Sequence, residues 1–242
     1  MQTKRISILV VFLALLTASC SGASGPASNP VFKTPDDAIT HYFQGLAQGD
    51  FQKISQACAI NEMAEKFRFD LYTERVGYLT ISIPSPAEYP LYVEINRTQF
   101  SSQIFSRVRI FAQSLLSSED VASGKTIPID AERTAAFIKD VDPKRLSGLE
   151  LKKISLPNQE TMSSAKYLEN ASKLARVYGA DESTERVAFF SFEGNYYYLG
   201  FTLLRYGENW KIHFPTSPLA NTSASGAPEK TTAEGFENML NP

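Results

Sequence analysis

Two histidines are the side chains best suited to acid–base chemistry near neutral pH. His41 lies between the apolar stripe and the polar face of a segment with helical spacing. His213 alternates with Ile212 and Phe214, so on a strand its ring points away from theirs. Acid–base catalysis needs a desolvated titratable group and a partner that stabilises developing charge. Because no spacing in the chain requires such a pair, we expect both histidines to be surface or interface contacts.

Three consecutive tyrosines, Tyr196, Tyr197 and Tyr198, stand in a run rich in aromatic and β-branched residues. Neighbouring side chains of a strand point to opposite faces. We therefore expect at least one of these rings in the core and at least one partly exposed. An exposed ring could contact a ligand or an interface partner, and a pair of His213 with one tyrosine is a further option that no spacing demands.

Other kinds of site find no support in the sequence. Two cysteines and two histidines are too few for a zinc finger or an iron–sulfur cluster. Neither a complete phosphate-binding loop nor a G-x-S-x-G nucleophile turn occurs. The 24 basic and 26 acidic residues give a net charge of −2, with no basic excess for nucleic acid. We therefore expect no catalytic set, no metal, no cofactor and no nucleic-acid partner.

A cysteine follows an apolar segment at the start of the chain. Lys4 and Arg5 precede an apolar run from Ile6 to Leu16, and small residues lead on to Cys20. The run is about 18 Å long as a helix and too short for a hydrocarbon core of about 30 Å. A secretory signal peptide is therefore the better interpretation. The order Leu-Leu-Thr-Ala-Ser-Cys resembles the lipobox of bacterial lipoproteins.

That resemblance implies cleavage before Cys20 and attachment of a diacylglycerol to its sulfur. The acyl chains, such as palmitate, would hold the protein at the cell membrane or the outer membrane, facing outside the cytoplasm. The alternative is an ordinary secreted protein that is cut a few residues away. If lipid uses the sulfur of Cys20, Cys58 has no intramolecular partner. Its apolar helical spacing with Ile54 predicts a buried, unreactive thiol.

Composition divides the chain into four parts. Residues 1–19 form the predicted signal peptide, and residues 20–33, rich in Ser, Gly, Ala and Pro, predict a flexible tether. Residues 34–215 carry the periodic apolar patterns of a folded domain. Residues 216–242, rich in Ala, Ser, Thr and Pro, predict a disordered tail. Within it, Phe236 and two later apolar residues have the spacing of a short docking turn.

Helices precede strands in the predicted domain. Thr34 and Pro35 open a first helix, and Asp50 opens a second that fades near residue 75. A short edge strand is expected over 78–83, and shorter helices over 130–139 and 164–178. The longest helix is expected to open at Asn96, with the apolar stripe Phe100, Ile104, Val108, Phe111 and Leu115.

The predicted strands cover 149–156, 186–192, 196–206 and 210–214, joined at two places by tight turns. The apolar pairs of the first strand are out of phase, which predicts a bulge at Lys152-Lys153.

Two stretches resemble NTF2-like domains, also called cystatin-like, which occur on many bacterial lipoproteins. Thr34–Cys58 (TPDDAITHYFQGLAQGDFQKISQAC) looks like their opening helical hairpin, and Tyr206–Phe214 (YGENWKIHF) is similar to their closing strand. The resemblance implies an α+β cone, in which a curved antiparallel sheet wraps a long helix around a cavity. Residues 118–158 and the helix over 164–178 would be insertions. The resemblance to NTF2-like domains implies no activity, because some relatives transfer protons in the cavity and others only bind partners.

These observations favour a non-catalytic, membrane-anchored lipoprotein that binds a small apolar ligand or an envelope protein. Two alternatives stay open: a cavity enzyme of the isomerase or dehydratase type, and a purely structural component of the envelope. The enzyme would need an acidic group and a tyrosine or histidine that point into the cavity. Because NTF2-like relatives often pair through the sheet, a homodimer is a further expectation.

Overall fold

The first helix begins as the sequence predicts. In the computed structural model, which describes residues 29–240, the Thr34 hydroxyl accepts a hydrogen bond from the Asp37 N–H. The Asp37 carboxylate accepts one from the Thr34 N–H, which completes a capping box. Helix α1 (Pro35–Gln48) ends at Gly49, whose φ of 63° suits glycine. With α2 (Phe51–Ala57) it forms the predicted N-terminal hairpin.

The second predicted helix is interrupted twice, so that α2 is followed by α3 (Ile60–Lys66) and α4 (Phe69–Val76). At the first break, the Ala59 N–H donates to the carbonyl of Ile212 on a distant strand. At the second, the Arg68 N–H donates to the carbonyl of Val177. Both breaks therefore come from tertiary hydrogen bonds that the helical pattern does not record.

The segment over 78–83 forms turns, so the predicted edge strand is wrong. The Ile83 N–H bonds back to the Thr80 carbonyl, and the prolines at 84 and 86 have no N–H to offer a neighbouring strand. The long helix α5 (Pro90–Leu116) begins at Pro90, before the predicted start at Asn96. Its predicted stripe packs inward, with Phe100, Ile104, Phe111 and Leu115 buried.

Three shorter helices follow α5 along the chain. They are α6 (Ala131–Asp140), α7 (Gln159–Met162) and α8 (Ala165–Val177), with 3₁₀ turns at Val121–Ser123 and Pro143–Gly148. Within residues 29–240, no helix combines the length and apolarity needed to cross a bilayer.

The sheet is antiparallel, with the order β1-β2-β3-β4. A register shift between Leu151 and Lys153 is the bulge that the sequence predicts. A fifth strand, outside the predicted domain, pairs with β3. The strands are β1 (Glu150–Ser155), β2 (Glu182–Phe192), β3 (Asn195–Tyr206), β4 (Asn209–Phe214) and β5 (Glu229–Thr231).

The prediction of a disordered tail is wrong for residues 216–240, which form β5 and helix α9 (Ala233–Leu240). Phe236 of α9 is fully buried and stacks on Phe189 of β2 at 4.7 Å between ring centroids. A Cβ on Gly200 would lie 2.4 Å from the Cβ of Ser217, so the loop before β5 lies directly on the sheet. This tertiary burial compensates for a composition that is poor in apolar residues.

The fold also begins slightly before the predicted boundary at residue 34. Phe32, which was assigned to the tether, is buried; its N–H donates to Asn209 and its carbonyl accepts from the Trp210 N–H. From Val31 onward the chain forms a unit of its own, and the described core residues run from Phe32 to the C-terminal helix.

The curved sheet lies between two layers of helices. Phe190 of β2 packs against Phe43 of α1 and Phe111 of α5. Side chains of the opposite face meet α8, where Ser183 donates to the carbonyl of Ala171, and α9. The chain therefore has the predicted α+β architecture with a curved antiparallel sheet, and its C-terminal segment covers much of the outer face.

Candidate functional site

Aromatic rings fill the space between the sheet and the helices α1 and α5. Phe43 and Phe111 lie 5.2 and 5.6 Å from Phe190, and Tyr42 lies 5.5 Å from Phe201, between ring centroids. All five side chains are buried. The resemblance to NTF2-like domains implies an open cavity at this place, and these rings occupy it.

His213 is buried, so the expectation that it faces a surface is wrong. Only 7% of the residue is exposed, and its ring lies 4.6 Å from Tyr178 and 4.3 Å from Phe214. Its Nε2 has no hydrogen-bond partner among the described residues. Burial lowers the pKa of His213 to about 3, and the charges of Arg107 and Arg75 act in the same direction. The ring is therefore neutral and weakly basic at physiological pH.

Two further polar groups lie near the filled interior, and no pattern in the sequence predicts either of them. The Tyr42 hydroxyl is buried without a hydrogen-bond partner in the described chain, and burial raises its pKa well above the usual range. The Arg107 guanidinium lies 4.4 Å from the Phe214 ring and donates to the carbonyls of Gln103 and Ala224. Tyr42 and His213 are thus both neutral, and Arg107 is engaged with backbone oxygens.

His41 packs against Phe32 at the N-terminal end of the described core. Its ring lies 4.9 Å from that of Phe32, and its Nε2 lies 3.4 Å from the side-chain oxygen of Gln56. Partial burial lowers the pKa of His41. No carboxylate is hydrogen-bonded to this ring among the described residues, so the arrangement is that of a packing contact.

The three tyrosines divide between the faces of β3 as the alternation predicts. Tyr197 stacks on Phe190 of the inner face, while Tyr196 stacks on Phe189 of the outer face. Tyr198 lies 6.3 Å from Phe236, and Tyr196 is the most exposed of the three. The structure does not join these rings with the histidines, because His213 packs on Tyr178 and His41 on Phe32.

Of the two cysteines, only Cys58 lies among the residues that the structure describes. Cys20, the predicted lipidation site, lies outside the described residues. Cys58 is buried as predicted, and its thiol donates to the Ile54 carbonyl at 3.3 Å. Burial raises its pKa to about 12, so the thiol is unreactive. Over residues 29–240, no group of three or more His, Cys, Asp or Glu residues is placed to hold a metal ion.

A set of exposed apolar side chains lies on the loop after α4 and around the first turns of α5. We call it the apolar surface; its members are Tyr78, Leu79, Ile81, Tyr89, Leu91, Tyr92 and Ile95. The loop is fastened to α5, because the buried Asn96 side chain accepts from the Ser85 N–H and donates to the Ser85 carbonyl. Gln99 adds a hydrogen bond to the Ser82 carbonyl. These side chains are therefore exposed on an ordered frame.

Sequence reasoning missed the apolar surface, although a signal was present. Apolar residues recur over 78–95 among prolines, and the alternation over 78–83 is too short and too close to proline to place them in a sheet. Apolar side chains on a segment that prolines keep out of the sheet have no neighbouring strand to cover them. Soluble domains seldom expose several large apolar side chains together unless something binds them.

A cleft of about 480 Å³ lies between α4 and α8. We call it the basic groove; its lining residues are Leu71, Glu74, Arg75, Asn170, Lys173, Arg176 and Val177. Lys173 pairs with Glu169 at 2.7 Å. Arg75 and Arg176 form no ion pair or side-chain hydrogen bond with another described residue. Two guanidinium groups are thus available in the same groove.

Comparison with solved structures supports the architecture. A crystal structure of a cystatin-like protein from Ruminococcus gnavus ATCC 29149 is similar to this chain, with a TM-score of 0.56 and 19% identity. The fold is cystatin-like. The likeness covers 82% of this chain and 44% of that protein, so the chain spans less than half its length. No protein-family model and no curated protein matches the chain.

Proposed function

We propose that this chain is a non-catalytic lipoprotein, held outside the cytoplasm by acyl chains on Cys20, that binds a component of the envelope. The observation that carries the binding role is the apolar surface, which Asn96 and Gln99 keep exposed and in place. The proposal for the anchor rests on the order of residues before Cys20.

The interior supports a binding role over the enzyme alternative. A cavity enzyme needs a titratable group beside space for a substrate. Here the rings of Phe43, Phe190 and Phe201 fill the space between sheet and helices. His213 and Tyr42 are both neutral groups within that packing. The same packing favours binding at the outer surface over a small apolar ligand inside the cone.

The anchor is tested by growing the native host with a labelled fatty acid. We expect label on the protein, loss of label in Cys20→Ala, and accumulation of the precursor when globomycin blocks signal peptidase II. Cys58→Ala is the matched control and should keep the label, because the Cys58 thiol is buried. Unlabelled protein, or equal label in Cys20→Ala, would refute the anchor.

The binding role is tested with a photo-crosslinking amino acid at Leu79 in intact cells. We expect adducts with an envelope component from this position. The control position is Ile138, an equally exposed apolar residue on α6. Adducts of equal yield from both positions, or none from Leu79, would contradict the proposal.

A further inference from the structure

The basic groove borders the apolar surface along the chain. Arg75 lies in the last turn of α4, Gly77 turns the backbone with a φ of 75°, and Tyr78 begins the apolar surface. Three residues span at most about 11 Å. The last turn of α4 thus brings the backbone of the basic groove within about 11 Å of the start of the apolar surface.

The two arginines come from the ends of two different helices and line the same groove. Arg75 and Arg176 each lie in the last turn of a helix, where a cation offsets the helix dipole. Each dipole accounts for one cation at its own helix end, and the fold brings both guanidinium groups to one groove without an ion pair to any described residue. Guanidinium groups that no carboxylate binds suit a phosphate group, and the two arginines outnumber Glu74, the one carboxylate among the lining residues.

The residue types of the apolar surface match those that enter the boundary of a bilayer. Tyr78, Tyr89 and Tyr92 combine an apolar ring with a hydroxyl, as tyrosines at membrane interfaces do. Leu79 and Ile81 project from the loop, and Ile81 is fully exposed. Apolar side chains beside cations are the combination by which proteins lie on anionic membranes.

We propose that the apolar surface and the basic groove together dock on a bilayer that contains anionic lipid. Leu79 and Ile81 enter the interfacial region, and Arg75 and Arg176 bind the phosphate groups of lipid headgroups. The proposal rests on the proposed function in one respect, since it names the bilayer as the envelope component that the apolar surface binds.

The anchor would strengthen such docking without adding a contact. From Cys20 to Val31 the chain extends at most about 40 Å, so an acylated protein stays near the bilayer. This confinement raises the effective concentration of the docking face at the membrane. A docking face with modest intrinsic affinity for the bilayer is then sufficient to keep the domain on the membrane surface.

The test uses unacylated protein that begins at Ser21, because the chain from Val31 onward forms a unit with its own core. Sedimentation is measured with vesicles of phosphatidylcholine, alone or mixed with phosphatidylglycerol. We expect tighter binding to the mixed vesicles. Leu79→Ser combined with Ile81→Ser should lower the partition coefficient at least about tenfold.

The contribution of the two arginines to binding of anionic lipid is tested with Arg75→Gln combined with Arg176→Gln. We expect a loss of about tenfold or more on mixed vesicles and little change on phosphatidylcholine alone, because the lost attraction is to anionic lipid. Matched controls are Ile138→Ser and Lys125→Gln, which remove an exposed apolar side chain and an exposed cation elsewhere. These controls should bind like the unaltered protein.

A second measurement locates the contact. Ile81→Cys is labelled with an environment-sensitive dye, while the buried Cys58 does not react. We expect a blue shift of the dye emission on mixed vesicles.

Three results would overturn the docking proposal: no blue shift, equal binding to both kinds of vesicle, or unchanged binding of either double variant. Because this protein carries no acyl group, these results leave the labelling of Cys20 untouched. Crosslinks from Leu79 to a protein, without vesicle binding, would keep the proposed function and refute the bilayer as its partner.

Discussion

The neutral, buried His213 makes the stability of the fold sensitive to mild acid. The pKa of its imidazole is about 3 in the fold, because burial and the charges of Arg107 and Arg75 disfavour the protonated ring. In the unfolded chain the ordinary value is about 6.5. As the pH falls below about 6.5, the unfolded chain binds a proton that the folded protein does not. Stability is therefore full above that value and declines below it.

The magnitude follows from the two pKa values. Between pH 7 and pH 5, protonation of the unfolded chain alone lowers the free energy of unfolding by about 2 kcal/mol. The decline continues toward the folded pKa of about 3 and levels off below it, where the total loss is about 5 kcal/mol. The loss between pH 7 and pH 5 is large enough to measure in a domain of ordinary stability.

The assay is urea unfolding at pH 7 and pH 5 for the unaltered protein, His213→Phe and His41→Asn. Phenylalanine keeps an aromatic ring against Tyr178 and Phe214, so the variant retains the packing and loses the titration. We expect the unaltered protein to lose at least about 2 kcal/mol, and His213→Phe to lose much less. His41→Asn should lose slightly less than the unaltered protein, because the pKa of His41 is lowered in the fold as well. An equal loss in His213→Phe and the unaltered protein would refute the reasoning.

Three further predictions concern packing. Tyr42→Phe should raise the free energy of unfolding by about 1 kcal/mol, because it removes a buried hydroxyl without a partner; urea unfolding that shows a loss contradicts this. Phe236→Ala should lower the free energy of unfolding by about 3 kcal/mol and expose residues 216–240 to proteolysis, because Phe236 packs α9 against Phe189. A rate of proteolytic cleavage equal to that of the unaltered protein would contradict this prediction. Asn96→Ala should speed hydrogen exchange at the Ser85 amide, which loses its acceptor; an unchanged rate contradicts it.

The fold class and most elements could be predicted from the sequence, because they depend on local signals. The helix start at Thr34 and Pro35 and the bulge near Lys152 both appear as expected. The elements that the sequence predicts wrongly depend on contacts with residues that are far away along the chain. The second helix breaks where Ala59 bonds to Ile212, and the tail orders because Phe236 enters a pocket of β2 and β3.

The candidate site could be predicted only in part, for a related reason. Alternation along a strand gives the face of a side chain but not what covers that face. It placed Tyr196 and Tyr197 on opposite sides correctly, yet it gave no sign that Tyr178 would cover His213. The apolar surface and the basic groove combine residues from separate helices and a loop, so no local pattern joins them.

The proposed anchor is tested most directly by the intact mass of the protein extracted from membranes of its native host. The account predicts a chain that begins at Cys20 and carries the added mass of a diacylglycerol on that residue. A chain that keeps residues 1–19, or one with a free thiol at Cys20, would contradict it.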